Sequence, residues 1–111
     1  MNYSQVFMYG SNLNPVRLRE RTRNWHGIYK VATLSGYELR FNKYSYQHNV
    51  AANITPCSNR RVYGILIELD EADLYKIDCC EGYHLTPRHY DRVELPIEAS
   101  CGAKLQAYAY K

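Results

Sequence analysis

The chain has 111 residues, with 14 basic against 11 acidic side chains, a formal charge of +3 and a pI near 8.7. That length supports one domain around one core, and so mild a basic excess falls short of a dedicated nucleic-acid binder. Met1 to Gly10 lack the basic lead and apolar run of an export signal, and the longest apolar stretch, around Val62 to Leu69, is too short to span a bilayer; the expectation is a cytoplasmic protein with neither membrane nor nucleic acid as partner.

In chain order, the apolar run Val6-Phe7-Met8-Tyr9 reads as a strand entering a turn at Gly10-Ser11-Asn12. Asn14 as N-cap and Pro15 at the first helical position predict a short helix to about Arg23, its four arginines spread around a solvated surface. Gly27 to Phe41 is strand-like but interrupted at Ser35-Gly36, as either two strands or one bent strand. Asn42 to Asn49 reads as a loop, Ala51 to Thr55 as a short strand, Pro56 to Arg60 as a hairpin connection, and Arg61 to Leu69 as the most buried strand. Asp70 is placed to cap a helix from Glu71, which Asp73 in its first turn favours. A loop over His84 to His89, an alternating strand over Tyr90 to Ile97, a turn at Gly102 and a last strand over Lys104 to Tyr110 complete the chain.

Six or so strands with two short helices point to an α+β fold, a small mixed or antiparallel sheet that closes into a β-barrel flanked by those helices, in a single domain over residues 1–111. The 12 tyrosines are spread along the strands, as β-propensity on a half-exposed pleated surface predicts. Without an export signal, Cys57, Cys79, Cys80 and Cys101 read as reduced thiols, and no Cys/His spacing matches a structural zinc site.

Two segments carry chemistry. Leu74, Ile77, Asp78 and Glu81 fall at i, i+3, i+4 and i+7 of the second helix, one buried stripe that Gly82 ends. A carboxylate in that place is partly desolvated and close to the negative end of the helix dipole, and both effects favour its protonated form and raise its pKa toward the range of a general base. The other segment is Tyr9-Gly10-Ser11-Asn12-Leu13, between a strand and a helix start. There Gly10 allows close backbone approach and free N–H groups suit a carboxylate or phosphate, although the lysine and spacing of a nucleotide-binding loop are missing. Cys80 is a competing nucleophile beside Glu81, but adjacent helical residues point about 100° apart.

Three stretches, VFMYGSNL over Val6 to Leu13, DCCEGY over Asp78 to Tyr83 and YDRVEL over Tyr90 to Leu95, together with Val62-Tyr63-Gly64-Ile65-Leu66, resemble the gamma-glutamylcyclotransferase family. The resemblance implies a compact β-barrel flanked by helices and an intramolecular acyl transfer on a small γ-glutamyl substrate, using neither metal nor organic cofactor. It also implies that Glu81 is the catalytic acid and base, that Tyr9, Gly10, Ser11, Asn12 and Leu13 bind substrate, and that Tyr90 lines the pocket. Two competing expectations belong to other classes. One is a non-catalytic module that binds a γ-glutamyl or other small carboxylate metabolite. The other is a weak RNA-binding domain using Arg17 to Arg23 and the tyrosines, which steeply salt-dependent binding would reveal.

Overall fold

The computed structural model describes residues 2–10, 14–44, 50–84 and 90–111. Its elements are β1 (Tyr3–Met8), α1 (Pro15–Arg21), β2 (Lys30–Tyr44), β3 (Val50–Asp70), α2 (Glu71–Cys80), β4 (Arg92–Ala99) and β5 (Lys104–Tyr110). The strands follow the order β1-β3-β2-β4-β5 and the sheet closes on itself. All neighbours are antiparallel except β1 and β5, which meet in parallel at one residue pair, Val6 with Tyr108. The seam between β2 and β4 is also short, joining Ala32 to Ala99 and Thr33 to Glu98. The expected small α+β sheet flanked by helices is present, built among the described residues from five strands instead of six or so.

Fewer strands arise because two of them are long. Ser35-Gly36 does not divide β2: the register with β3 shifts between Ser35 and Tyr37 while the strand continues, which is the bent-strand alternative. Pro56 to Arg60 is no hairpin either. Pairing with β2 passes from Tyr37 opposite Pro56 to Ser35 opposite Arg61, so the residues between form a bulge within one continuous strand, a setting in which proline is tolerated. The expected loop from Asn42 shortens accordingly, because β2 runs to Tyr44; residues 45–49 lie outside the described residues.

Strand alternation gives the sheet two packed faces. Phe7, Leu34, Ile54, Val62, Leu66, Ile97, Ala107 and Ala109 fill the inside, and Tyr9 joins them. On the outside Val6, Met8, Ile65, Ile67 and Leu69 receive Leu18 from α1 and Leu74 and Ile77 from α2. Burying a side chain such as Ile77, at 1 % exposure, contributes roughly 1.5–3 kcal/mol, which is what fastens so short a helix to the sheet.

Helix ends follow their caps. Asn14 Oδ1 accepts from the Val16 N–H over 3.0 Å and starts α1, which stops at Arg21 with Thr22 as C-cap, two residues short of the expected Arg23. Its arginines are exposed or half-exposed as expected, and Arg19 Nη1 also donates to the Trp25 carbonyl over 2.6 Å. Asp70 Oδ1 accepts from the Asp73 N–H over 2.8 Å and starts α2 as expected. No helix among the described residues is long and apolar enough to cross a membrane.

Candidate functional site

The geometry of α2 carries Glu81 to the end of β1. Asp70, last residue of β3, stands opposite Tyr3, first residue of β1, and α2 starts at that point. Its ten residues advance about 15 Å along the outer face, comparable to the roughly 20 Å that β1 covers from Tyr3 to Tyr9. Both elements therefore finish at the same end of the sheet.

The stop itself is specific. Glu81 is the C-cap of α2, and its N–H donates to the Ile77 carbonyl over 2.9 Å. The Gly82 N–H then donates to the Cys79 carbonyl and the Tyr83 N–H to the Asp78 carbonyl, at 3.2 and 3.0 Å, in the double-bonded Schellman arrangement. Such a turn needs a left-handed residue just past the cap, and Gly82 has φ 70°. The expected stripe is buried throughout, with Leu74 at 8 %, Ile77 at 1 %, Asp78 at 3 % and Glu81 at 9 % exposure.

Glu81 and the β1 end share one space. Tyr90 reaches it because its N–H donates to the Glu81 carbonyl over 3.2 Å. The Tyr90 hydroxyl donates to the Ala52 carbonyl of β3. Ala52 in turn abuts the other segment, since a Cβ added to Gly10 would stand 3.0 Å from the Ala52 Cβ. Tyr9, buried beside Gly10, donates its hydroxyl to the Tyr110 carbonyl at the end of β5. Tyr9, Gly10, Tyr90 and Glu81 thus gather at one end of the sheet, while Ser11, Asn12 and Leu13 lie outside the described residues.

Electrostatics agree with this arrangement. Burial pushes the Tyr9 phenol far above its ordinary pKa, with smaller contributions from Tyr90 and from the charge of Glu81. The Tyr90 phenol is pushed up to about 12, by burial first and then by Glu81. Both phenols therefore keep their protons, and both protons are committed to main-chain carbonyls. A phenol oxygen whose proton is donated elsewhere is an acceptor, as is an ionised carboxylate. Such a cluster suits a ligand's ammonium or N–H groups.

Around it stand residues that sequence reading missed. Tyr110 donates to Asp78 Oδ1 and Arg92 Nη1 donates to Asp78 Oδ2, each over 2.6 Å. Burial, the bond to Asp78 and the charges of Asp78 and Glu81 drive the Tyr110 phenol far up in pKa, against the opposing charge of Arg92. Only the buried position of Asp78 was signalled by helical spacing; its partners come from strands that sequence proximity does not connect to α2.

A cleft of about 880 Å³ lies elsewhere, lined by Tyr3, Gln5, Trp25, Lys30, Glu68 and Asp73 among others. It belongs to the beginnings of β1 and α2, and contains neither Tyr9 nor Glu81. Its acids are already engaged, Asp73 by the N–H groups of Arg23 and Asn24, and Glu68 by Gln5. Chemistry, rather than volume, selects the Glu81 end.

A family model described as gamma-glutamyl cyclotransferase, AIG2-like, matches residues 6–111. No curated protein matches the chain. Among solved structures, one described as a gamma-glutamyl cyclotransferase superposes with a TM-score of 0.83 at 23% identity, covering 98% of this chain and 66% of its own. An uncharacterised Homo sapiens protein gives 0.80 at 24% identity, covering 99% and 66%. An Arabidopsis thaliana protein gives 0.75 at 24%, covering 99% and 62%. At such identities these superpositions establish the fold, and the chain spans somewhat under two thirds of the lengths of these three structures.

Proposed function

The chain belongs to the gamma-glutamyl cyclotransferase, AIG2-like family, and from that premise we propose that it converts a γ-glutamyl compound to 5-oxoproline and releases the attached amine or amino acid. The chief support is a buried glutamate, Glu81, whose charge reaches the two phenols, Tyr9 and Tyr90, that close the same end of the sheet.

In such a substrate the α-amino group attacks its own γ-carbonyl. A new C–N bond closes the five-membered lactam, and the bond to the outgoing amine breaks. Because the reaction is intramolecular, the protein's main contribution is to hold one productive conformer. An ammonium cannot attack, so Glu81 first takes a proton from it as base and later hands a proton to the departing amine as acid. The acceptor lone pairs of Tyr9 and Tyr90 would direct the ammonium toward Glu81. The main chain from Gly10 through Ser11, Asn12 and Leu13 would hold the substrate's α-carboxylate through its N–H groups.

The test is direct detection of 5-oxoproline after incubation with γ-glutamyl amino acids, glutathione and γ-glutamyl amines, with Glu81→Gln in parallel. Wild type should yield product, and Glu81→Gln should bind the same donors but turn over about a thousandfold more slowly, within the range for loss of a general acid or base. Near-normal turnover by the variant would remove Glu81 from the mechanism. Saturable binding by wild type with no product would make the protein a binding module.

A further inference from the structure

We propose that Asp78, gripped by Arg92 and Tyr110, holds the end of α2, and with it Glu81, in register with Tyr9. Asp78 is thus a positioning residue, and its catalytic consequence rests on the cyclotransferase reading above.

Asp78 lies one helical turn before Glu81 on the same buried stripe. A buried carboxylate is tolerated when its oxygens are satisfied, and here each is claimed by a different strand, Oδ1 by Tyr110 of β5 and Oδ2 by Arg92 of β4. The Arg92 guanidinium also lies 5.1 Å from the centroid of the Tyr83 ring and 4.6 Å from that of Tyr108. Arg92 therefore touches the chain both before Glu81, at Asp78, and after it, at Tyr83. The linkage extends further, because the Tyr110 carbonyl accepts the hydroxyl of Tyr9. A short route of hydrogen bonds, Asp78 to Tyr110 to Tyr9, thus spans from the glutamate's helix to the strand end that leads into Gly10.

Apolar packing alone would not achieve this. Leu74 and Ile77 bind α2 to the sheet, but hydrophobic contact is non-directional and lets a helix rotate or slide. Two short bonds to one ionised carboxylate fix both motions. In an intramolecular cyclisation the rate depends on where the base sits relative to the held substrate, and a displacement of about 1 Å costs on the order of a hundredfold.

The experiment compares wild type with Asp78→Asn, which keeps a carbonyl for Tyr110 but loses the ionic bond to Arg92, and with Tyr110→Phe, which removes a single hydroxyl. Amide hydrogen exchange at Glu81 and Tyr83 should accelerate at least about tenfold relative to amides of the β1–β3 ladder, which report global opening. The kcat for the best γ-glutamyl donor should fall by about a hundredfold. The Kd of that donor, measured in a Glu81→Gln background with and without Asp78→Asn, should change by less than about threefold, since uniform binding is unaffected when only the base moves. Exchange that rises equally everywhere, or kcat that falls only in proportion to the folded fraction, would overturn the proposal. Should Asp78→Asn fail to fold, Tyr110→Phe decides by the same measurements. A wild type that makes no product from any donor would defeat the cyclotransferase reading, and exchange at Glu81 and Tyr83 would still decide whether Asp78 holds the helix end.

Discussion

At the scale of single residues, Glu81 owes its setting to the place where a helix stops. Two turns of helical spacing bury it and Gly82 ends the helix one residue later, so its charge lies within reach of the phenols of Tyr9, Tyr90 and Tyr110. Its neighbour Cys80 differs by one position and is exposed. Adjacent helical side chains diverge by about 100°, so Cys80→Ser should leave both turnover and stability nearly unchanged, within the about 0.5 kcal/mol typical of surface substitutions. A severe loss of kcat in that variant would bring thiol chemistry back into consideration. Glu81 was legible in the sequence because its position follows a local 3.6-residue period. Tyr110 and Arg92 were not, because their meaning depends on Asp78, 32 and 14 residues away in the chain.

Among the elements, strand lengths were the hardest to read. Ser35-Gly36 and Pro56 are the usual punctuation of a turn, yet both fall where β2 and β3 shift register, and tertiary pairing carries the strands through. Helix starts were read correctly because Asn14 and Asp70 act within three residues of themselves. One close contact between elements makes a sharp prediction. A Cβ at Gly64 of β3 would stand 2.3 Å from the Met8 carbonyl and 2.7 Å from Cζ of Phe7, so β1 can lie where it does only against a bare backbone. Gly64→Ala should lower the free energy of unfolding in urea by about 3 kcal/mol, the upper part of the range for overpacking. It should also disturb Tyr9, next in the chain after Met8. An unfolding midpoint equal to wild type would mean that β1 can retreat without loss.

For the molecule as a whole, the alkaline limit of stability follows from its buried phenols. Tyr90 ionises near 10 when unfolded and at about 12 when folded, so the folded chain retains a proton that the unfolded chain releases. The sign follows directly: this contribution is complete below about pH 10 and is lost as pH rises from there through about 12. Tyr9 and Tyr110 are shifted in the same direction. Urea unfolding across the alkaline range should therefore show stability declining with pH, less steeply in Tyr90→Phe, and tyrosinate absorbance should show these phenols ionising only as the chain unfolds. A Tyr90→Phe slope equal to that of wild type would contradict the burial of Tyr90. The overall sheet was legible as a class from strand count and length, but its order was not, because the thin closing seams carry no sequence signature.

One of those closing contacts has a bearing on biosynthesis. The Tyr9 hydroxyl is held by the carbonyl of Tyr110, 101 residues later, and Asp78 also waits for Tyr110 and Arg92. In synthesis the residues of β1, β2, β3 and α2 leave the ribosome before Arg92 and Tyr110, whose bonds to Asp78 and Tyr9 cannot form until then. The bonds that tie the helix bearing Glu81 to Tyr9 therefore close last, and the site is completed by the strand made last.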